Sequence, residues 1–138
     1  MIKALEVTTE GKVRIIDLLP DTQLEQVQEA VGGLVQAISL DDDLTMWLNE
    51  EGKILKLPHN SFAQHLWDKK FGEQTDYLVG NIVLTGGADD EGETLSLNDT
   101  QVVAYSLLFG AMRTKKQNAI TDTDIMEQLL NAINEAKI

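Results

Sequence analysis

The sequence contains no cysteine. This excludes disulfide bonds, thiolate nucleophiles and zinc sites built on thiolates. Histidine and proline are also scarce, with two residues each, and aromatic residues make up only 5% of the chain. The lack of cysteine is typical of proteins that stay in a reducing compartment, so we expect a cytoplasmic protein.

Long apolar runs are missing as well. No stretch approaches the ~18 consecutive apolar residues of a membrane-spanning helix. Near the start of the chain, charges at Glu6, Glu10, Lys12 and Arg14 interrupt any apolar core of the length found in secretory signals. We therefore expect a soluble protein without a membrane partner.

Basic residues are few relative to acidic ones. The chain has 11 lysines and arginines against 23 aspartates and glutamates, which gives a net charge of -12 and a pI near 4.4. Such a charge repels nucleic acid phosphates, so direct binding of DNA or RNA is disfavoured. Residues 1–97 carry 18 acids and 7 bases, whereas residues 98–138 carry 5 and 4. This difference predicts an acidic domain over 1–97 and a nearly neutral segment over 98–138, packed together as one compact unit.

The stretch from Val31 to Pro58 organises the prediction of the fold. Two adjacent glycines, Gly32 and Gly33, are typical of a helix end, because glycine adopts the left-handed conformation found there. The apolar period then changes from about 3.6 to about 2, which indicates strands. The predicted strands are residues 34–40, 44–49 and 53–57, the last two joined as a hairpin through Glu50, Glu51 and Gly52.

The flanking segments predict further strands and two helices. Apolar residues 2–7 and 13–18 surround a glycine-containing turn, which indicates another hairpin. A helix is expected to begin at Asp21 or Thr22, with Glu25 as a capping-box partner and Leu24, Val27 and Val31 on its apolar face.

A second helix is expected from Asn60 or Ser61 to about Lys70, ending near Gly72, with Phe62, Leu66 and Trp67 turned inward. Residues 77–84 form the most apolar strand candidate, which we place centrally in the sheet. The fold class predicted is α+β: a mixed or antiparallel sheet of about five to six strands, with helices on one face.

The last 41 residues predict a helical hairpin. Asn98 can cap a helix over residues 99–112, a basic turn follows at 113–116, and Thr121 can cap a second helix. Their shared apolar stripe is wider than packing on one small sheet requires. It is therefore a candidate surface for forming a homo-oligomer or for holding another partner.

Acidic residues cluster in three places, and we interpret them as candidates for protein interaction. Neither of the two larger clusters has the ligand spacing of a calcium loop, so we expect no metal site. The candidate interaction residues are Asp41, Asp42, Asp43, Glu50, Glu51, Asp89, Asp90, Glu91 and Glu93.

Catalytic residues are not assigned. Ser61 and His65 are the one nucleophile and base that lie close together in the sequence, and Asp68 could orient the histidine. Such pairings arise by chance. His59 and His65 lack the one-turn spacing of helical zinc ligands, and no P-loop lysine follows Gly86–Gly87. No cofactor is expected. Aromatic and amide side chains that could line a small-ligand pocket are Trp47, Asn49, Tyr77 and Asn81.

Several segments together resemble a known family. They are AVGGLVQAISL, a short acidic turn, WLNEEGKILKLPHN and DYLVGNIVLTG, in that order. The order and spacing resemble a family catalogued as domain of unknown function number 3846, over residues of about 3–97. The matching positions are residues 31–33, residues 49–53, Leu57–Pro58 with Asn60, and Gly80–Asn81. The resemblance implies a small α+β domain and an accessory protein of phages, plasmids or conjugative elements, with no catalytic residues to carry over.

The functional hypothesis is a non-enzymatic protein that acts by binding. An acidic surface can imitate the charge of DNA, so a counter-defence inhibitor of a host protein, such as a DNA-binding defence protein, is expected in the host cytoplasm. A first alternative is a sponge that sequesters a small nucleotide-type signal. A second is a small enzyme of unknown class.

Overall fold

The computed structural model describes the backbone of residues 1–118 and the side chains of residues 1–114. These residues divide into two compact units, which meet between Leu97 and Asn98 in the sequence. The elements of the first unit are β1 (Ile2–Val7), β2 (Val13–Leu18), α1 (Gln23–Val31), β3 (Val35–Asp41), β4 (Leu44–Asn49), α2 (Ser61–Phe71) and β5 (Ile82–Thr85). The second unit contains α3 (Asp99–Asn118).

The five strands form one antiparallel sheet in the order β2-β1-β5-β4-β3. The predicted α+β class is therefore confirmed. Strand β5, the last strand of the described residues, occupies the centre of the sheet, as its apolar sequence predicted. It joins two hairpins, since Leu84 lies opposite Leu5 of β1 on one side and Met46 of β4 on the other.

One face of the sheet packs against α1. Because successive side chains of a strand point to opposite faces, every second side chain of β1 and β2 points toward this helix. The helix contributes Val27 and Val31, which are 2% and 3% exposed. The core on this face consists of Ala4, Leu18, Val27, Val31 and Val83, with Ile2, Ile16, Ala30, Val35 and Trp47 packed around it.

The other face of the sheet is equally apolar. Strand register places Leu5, Met46 and Leu84 in one row and Val7 and Ile82 in the next. All five side chains are completely buried. Burial of β5 on both faces explains why its sequence is continuously apolar and does not alternate.

Helix α1 begins and ends as predicted, but its N-terminus is organised differently. Thr22 is the N-cap residue without a capping side-chain bond. The expected capping box with Glu25 does not form. Gln26 tethers the entry of the helix instead, accepting a hydrogen bond from the backbone N of Leu19 at 2.7 Å. Leu24, predicted to face inward, is 53% exposed.

Helix α2 is capped by Asn60, whose side-chain oxygen accepts hydrogen bonds from the backbone N of Phe62 and Ala63. The amide nitrogen of the same side chain donates to the carbonyl oxygens of Val7 and Gly80. Asn60 is completely buried. One side chain thus fastens the start of α2 to the end of β1 and to the approach of β5.

The predicted strand over residues 53–57 is wrong. Residues 50–56 form consecutive turns, closed by bonds such as the one from the backbone N of Leu57 to the carbonyl of Gly52. The sheet explains this, because β4 already has β3 on one side and β5 on the other, so no edge remains for a hairpin partner. The strand predicted over 77–84 is also shorter than expected, and Val79 makes only an isolated bridge with His59.

In the second unit, α3 buries Val102, Tyr105, Leu108 and Phe109 at helical spacing. The basic turn predicted at 113–116 is wrong, since these residues continue the helix. The second helix of the predicted hairpin lies outside the described residues. Through residue 118, no helix combines the length and apolar character needed to cross a bilayer.

Candidate functional site

A cleft of about 490 Å³ opens beside the C-terminal end of α1. We call it the α1 cleft. It is lined by residues 8–10 and 12 of the β1–β2 turn, residues 29–32 of α1, residues 57–58 and residues 80–81. Its volume lies in the range of clefts that hold small ligands.

The wall of the α1 cleft depends on Gly80. This residue has a φ of +83°, and a Cβ atom there would lie 2.9 Å from the side chain of Leu57. Its backbone N donates to the carbonyl of Pro58, and its own carbonyl accepts from Asn60. Because any other residue would be strained and crowded here, glycine lets the two wall segments meet.

A second pocket of about 390 Å³ continues from the α1 cleft and shares Glu29, Ala30 and Asn81 with it. Its other lining residues include Glu6 and Arg14, which form a 3.0 Å ion pair. In the α1 cleft, Lys12 lies 3.8 Å from Glu10. Both basic residues that line these pockets, Lys12 and Arg14, therefore lie beside an acidic residue. The third acidic residue, Glu29, forms no ion pair with any described residue.

Asn81 stands where the two pockets meet. Its side-chain oxygen accepts a hydrogen bond from the backbone N of Thr9 at 3.1 Å. Because an N–H donor requires the oxygen at this position, the orientation of the amide is settled. Its NH₂ group makes no hydrogen bond to the described part of the chain, which leaves a donor for a ligand.

A different surface gathers the acidic residues. The turn between β3 and β4 and the loop after β5 leave the sheet at the same end, since Thr45 and Thr85 are paired. At Gly87 the two segments touch, and a Cβ atom there would lie 1.9 Å from the carbonyl oxygen of Asp42. We call this combined surface the acidic end, and it consists of Asp41, Asp42, Asp43, Asp89, Asp90, Glu91 and Glu93.

The loop of the acidic end is internally ordered. Asp89 accepts hydrogen bonds from the backbone N of Glu91 and of Glu93, both at 2.9 Å. Ala88 and Thr94 form a bridge that closes the loop. In the neighbouring turn, Asp41 accepts from the backbone N of Asp43 at 2.7 Å. These bonds hold the loop and the turn in defined shapes.

Glu50 and Glu51 do not belong to the acidic end. They follow the C-terminal end of β4, whereas Asp42 and Asp43 precede its first residue. Six residues of strand separate the two positions, a distance of about 20 Å. The structure thus brings together seven of the nine acidic residues predicted for interaction.

The residues predicted for ligand binding occupy different sites. Asn81 lines the α1 cleft. Trp47 donates from its indole nitrogen to the hydroxyl of Thr85 at 2.8 Å. Asn49 is buried, where it donates to the carbonyl of Val31 and accepts from the backbone N of Glu51. Tyr77 is 58% exposed. The prediction that these four residues bind one ligand remains a prediction.

Tyr77 stacks on His59 with ring centroids 4.4 Å apart, and His59 contacts Gln64. Asp68, considered as a partner of His65, instead accepts from the amide of Gln64 at 2.9 Å. Through these contacts with Gln64, His59 and Asp68 stabilise the structure around α2. Among the described residues, no group of three histidine or carboxylate side chains could hold a metal ion.

An ion pair between Lys53 and Asp76 joins the turns after β4 to the segment before β5. The hydrogen bond from Lys53 holds the pKa of Asp76 below its ordinary value, although partial burial opposes the shift. A backbone hydrogen bond from Tyr77 to the same carboxylate acts in the same direction as Lys53.

The α1 cleft was not anticipated from the sequence. A signal for it exists, because the last turn of α1 contains no basic residue to balance the helix dipole and contains Glu29 instead. The neighbours of that turn come from three distant segments. Their convergence depends on tertiary structure, which a pattern along one helix does not show.

No curated protein and no solved structure matches this chain significantly. A family model described as "Domain of unknown function (DUF3846)" matches residues 2–110. This match extends past residue 97 into α3. The segments that resemble the family also meet in space, since residues 31–32, 57–58 and 80–81 all line the α1 cleft. From the family match over most of its length, this chain belongs to the DUF3846 family.

Proposed function

We propose that this protein is a non-enzymatic accessory protein of a phage or other mobile element. It acts by binding a basic surface of a host protein through its acidic end. The observation that carries the proposal is the contact at Gly87, which sets two acidic segments side by side although they lie more than 40 residues apart in sequence.

The charge of the whole unit supports this function. Residues 1–97 have a net charge of -11, so a basic partner is attracted at long range before the surfaces touch. Duplex DNA presents about one negative charge per ~1.7 Å of axis, and a protein that binds DNA exposes the complementary basic surface. A DNA-binding defence protein therefore fits as the partner.

The shape of the acidic end adds to its charge. Asp42, Asp90, Glu91 and Glu93 are all exposed. The bonds made by Asp41 and Asp89 order the backbone that carries them. An ordered set of charges loses less conformational entropy on binding than a flexible acidic tail would.

The test is capture of partners from host lysate by immobilised protein, with identification of what is bound. We expect a basic DNA-binding protein that is released by added salt and by duplex DNA. The double variant Asp90→Asn with Glu91→Gln should weaken this capture several-fold.

The matched control is Glu50→Gln with Glu51→Gln, which removes the same charge at the other end of β4. Equal capture by both double variants would contradict a role for the acidic end. Capture would then depend only on the net negative charge of the protein. Capture that persists with duplex DNA in excess would contradict mimicry of DNA.

A nucleotide sponge gains no support from the clefts of the first unit. The α1 cleft is lined by Glu10 and Glu29 and lies at the negative end of the α1 dipole, where a phosphate is repelled. For the small-enzyme alternative, Asp68 was expected to orient His65, but its carboxylate accepts a hydrogen bond from the amide of Gln64 at 2.9 Å. Binding through the acidic end is accordingly the function we propose.

A further inference from the structure

The C-terminal turn of α1 is electrically unbalanced. The last carbonyls of a helix carry a partial negative charge, which a nearby cation stabilises and a nearby anion opposes. The last turn of α1 contains no basic residue, and Glu29 lies within it. Glu29 is exposed and forms no ion pair with the described residues. This turn is therefore a place where positive charge is favoured.

The carbonyl groups of the same turn are only partly satisfied. The carbonyl of Gln28 accepts from both Gly32 and Gly33, and that of Val31 accepts from the side chain of Asn49. The carbonyls of Glu29 and Ala30 accept no hydrogen bond from any residue described. Both residues line the α1 cleft and the pocket beside it. Two consecutive residues of the cleft lining thus carry carbonyl groups that no described residue bonds, and one of them also carries a carboxylate.

The remaining bases nearby do not supply the missing positive charge. Arg14 is held by Glu6 at 3.0 Å, and Lys12 lies beside Glu10. The lining of the cleft also includes the apolar residues Leu57 and Pro58. Such a combination of acceptors with an apolar wall suits a cationic head on a short apolar stem, because the stem avoids water while the head keeps its partners.

We propose that the α1 cleft binds an organic cation, an ammonium or guanidinium group on a short apolar stem. Glu29 pairs with the charge, and the carbonyls of Glu29 and Ala30 accept its hydrogens. The NH₂ group of Asn81 can donate to an oxygen on the same ligand. This site is separate from the acidic end and does not depend on its function.

The first test is NMR titration of the whole protein with n-butylguanidinium and n-butylammonium. Neutral n-butanol and anionic butyrate are titrated at the same ionic strength. We expect saturable shifts with the cations at the backbone amides of Thr9, Gly32 and Gly80 and at the side-chain amide of Asn81. Stronger binding of butyrate than of the cations at these positions would overturn the proposal, since it would show that the cleft prefers anions.

Two variants distinguish cation binding in the α1 cleft from the nonspecific attraction of cations to an acidic protein. Glu29→Gln should weaken cation binding by up to about fivefold, the range of an ion pair at an exposed carboxylate. Glu25→Gln removes the same charge from an exposed position of the same helix outside the cleft, and it should leave binding unchanged. Equal effects of the two variants would show that the cations respond only to net charge, which would overturn the proposal.

The cation can come from a free amine or from a partner's side chain. Titration with N-acetyl-arginine methylamide, compared with n-butylguanidinium, distinguishes these sources. Binding of either compound that is sensitive to Glu29→Gln supports the site and identifies its source. Failure of both to shift the cleft residues would overturn the proposal, and it would leave capture by the acidic end unaffected.

Discussion

Asn60 and Asp76 show how single polar residues hold the first unit together. Asn60 makes four hydrogen bonds from a completely buried position, and each of its partners is a backbone group. Asp76 acts near the surface, where its carboxylate accepts from Lys53 and from the backbone of Tyr77. The cost of losing each residue follows from its burial.

Replacing Asn60 by alanine should destabilise the protein by about 2 to 4 kcal/mol. The change removes the cap of α2, worth about 1 kcal/mol, and leaves buried carbonyls without donors, at about 1 to 3 kcal/mol. Denaturation by urea, followed by circular dichroism, measures the loss. Thr22→Ala is the control, because Thr22 occupies the N-cap of α1 without a capping bond. Equal losses for the two variants would contradict this account of Asn60.

Asp76→Asn should lower stability at neutral pH and have little effect in acid. A carboxyl whose folded pKa is lowered stabilises the fold above its unfolded value, and this contribution is lost as the pH falls through the folded pKa. Relative to wild type, the deficit of the variant should therefore shrink below about pH 3.8. Melting temperatures across pH 2.5 to 7 measure it, with Glu73→Gln as an exposed control. A deficit that stays constant with pH would exclude the Lys53 pair as its cause.

At the scale of elements, the order of the strands determines which loops become neighbours. Because β5 inserts between β1 and β4, the loop that follows it lies against the turn between β3 and β4. The same insertion brings residues 80–81 beside the β1–β2 turn, where they complete the α1 cleft. Both surfaces thus depend on one late strand entering the centre of the sheet.

Gly87→Ala should destabilise the acidic end and lower the stability of the protein by about 2 kcal/mol or more, because the backbone must shift to relieve the contact with Asp42. Gly110→Ala is the matched control. Gly110 lies in α3, and no described atom is near its Cβ position, so alanine should be neutral or stabilise by up to about 1 kcal/mol. Urea denaturation compares the two. A neutral effect of Gly87→Ala would contradict the close contact between the two loops.

At the scale of the whole molecule, charge sets the response to salt. A net charge of -12 on 138 residues produces self-repulsion in the compact state. Added salt shortens the Debye length from about 30 Å at 0.01 M to about 8 Å at 0.15 M, which screens this repulsion. Added salt should therefore have opposite effects on stability and on partner capture. Screening stabilises the folded state, but it weakens the attraction between the acidic protein and a basic partner.

We therefore expect the melting temperature to rise between about 0.01 M and about 0.15 M sodium chloride at pH 7. The increase should disappear near pH 4.4, the pI, where the net charge is zero. Differential scanning calorimetry at both pH values measures it. A melting temperature that does not change with salt at pH 7 would contradict self-repulsion as a significant term.

The sequence by itself determined most of the elements. Period-two patterns located β1, β2, β3 and β4, and the helix signals at Asn60 and Gly32 located the start of α2 and the end of α1. These signals are local, since each depends on side chains within a few residues. Local patterns also failed in identifiable places. Residues 53–57 alternate like a strand, but their predicted hairpin partner β4 already pairs with β3 and β5 and had no free side to accept them.

The tertiary structure decided where function can reside. Seven acidic residues became one surface because strand pairing ends two loops together, and Glu50 and Glu51 were separated from them by the length of β4. The α1 cleft required three segments to meet at the end of one helix. Neither grouping can be predicted from local sequence patterns. Both depend on the pairing of β5 with β1 and β4, and this pairing is favoured because it buries both apolar faces of β5.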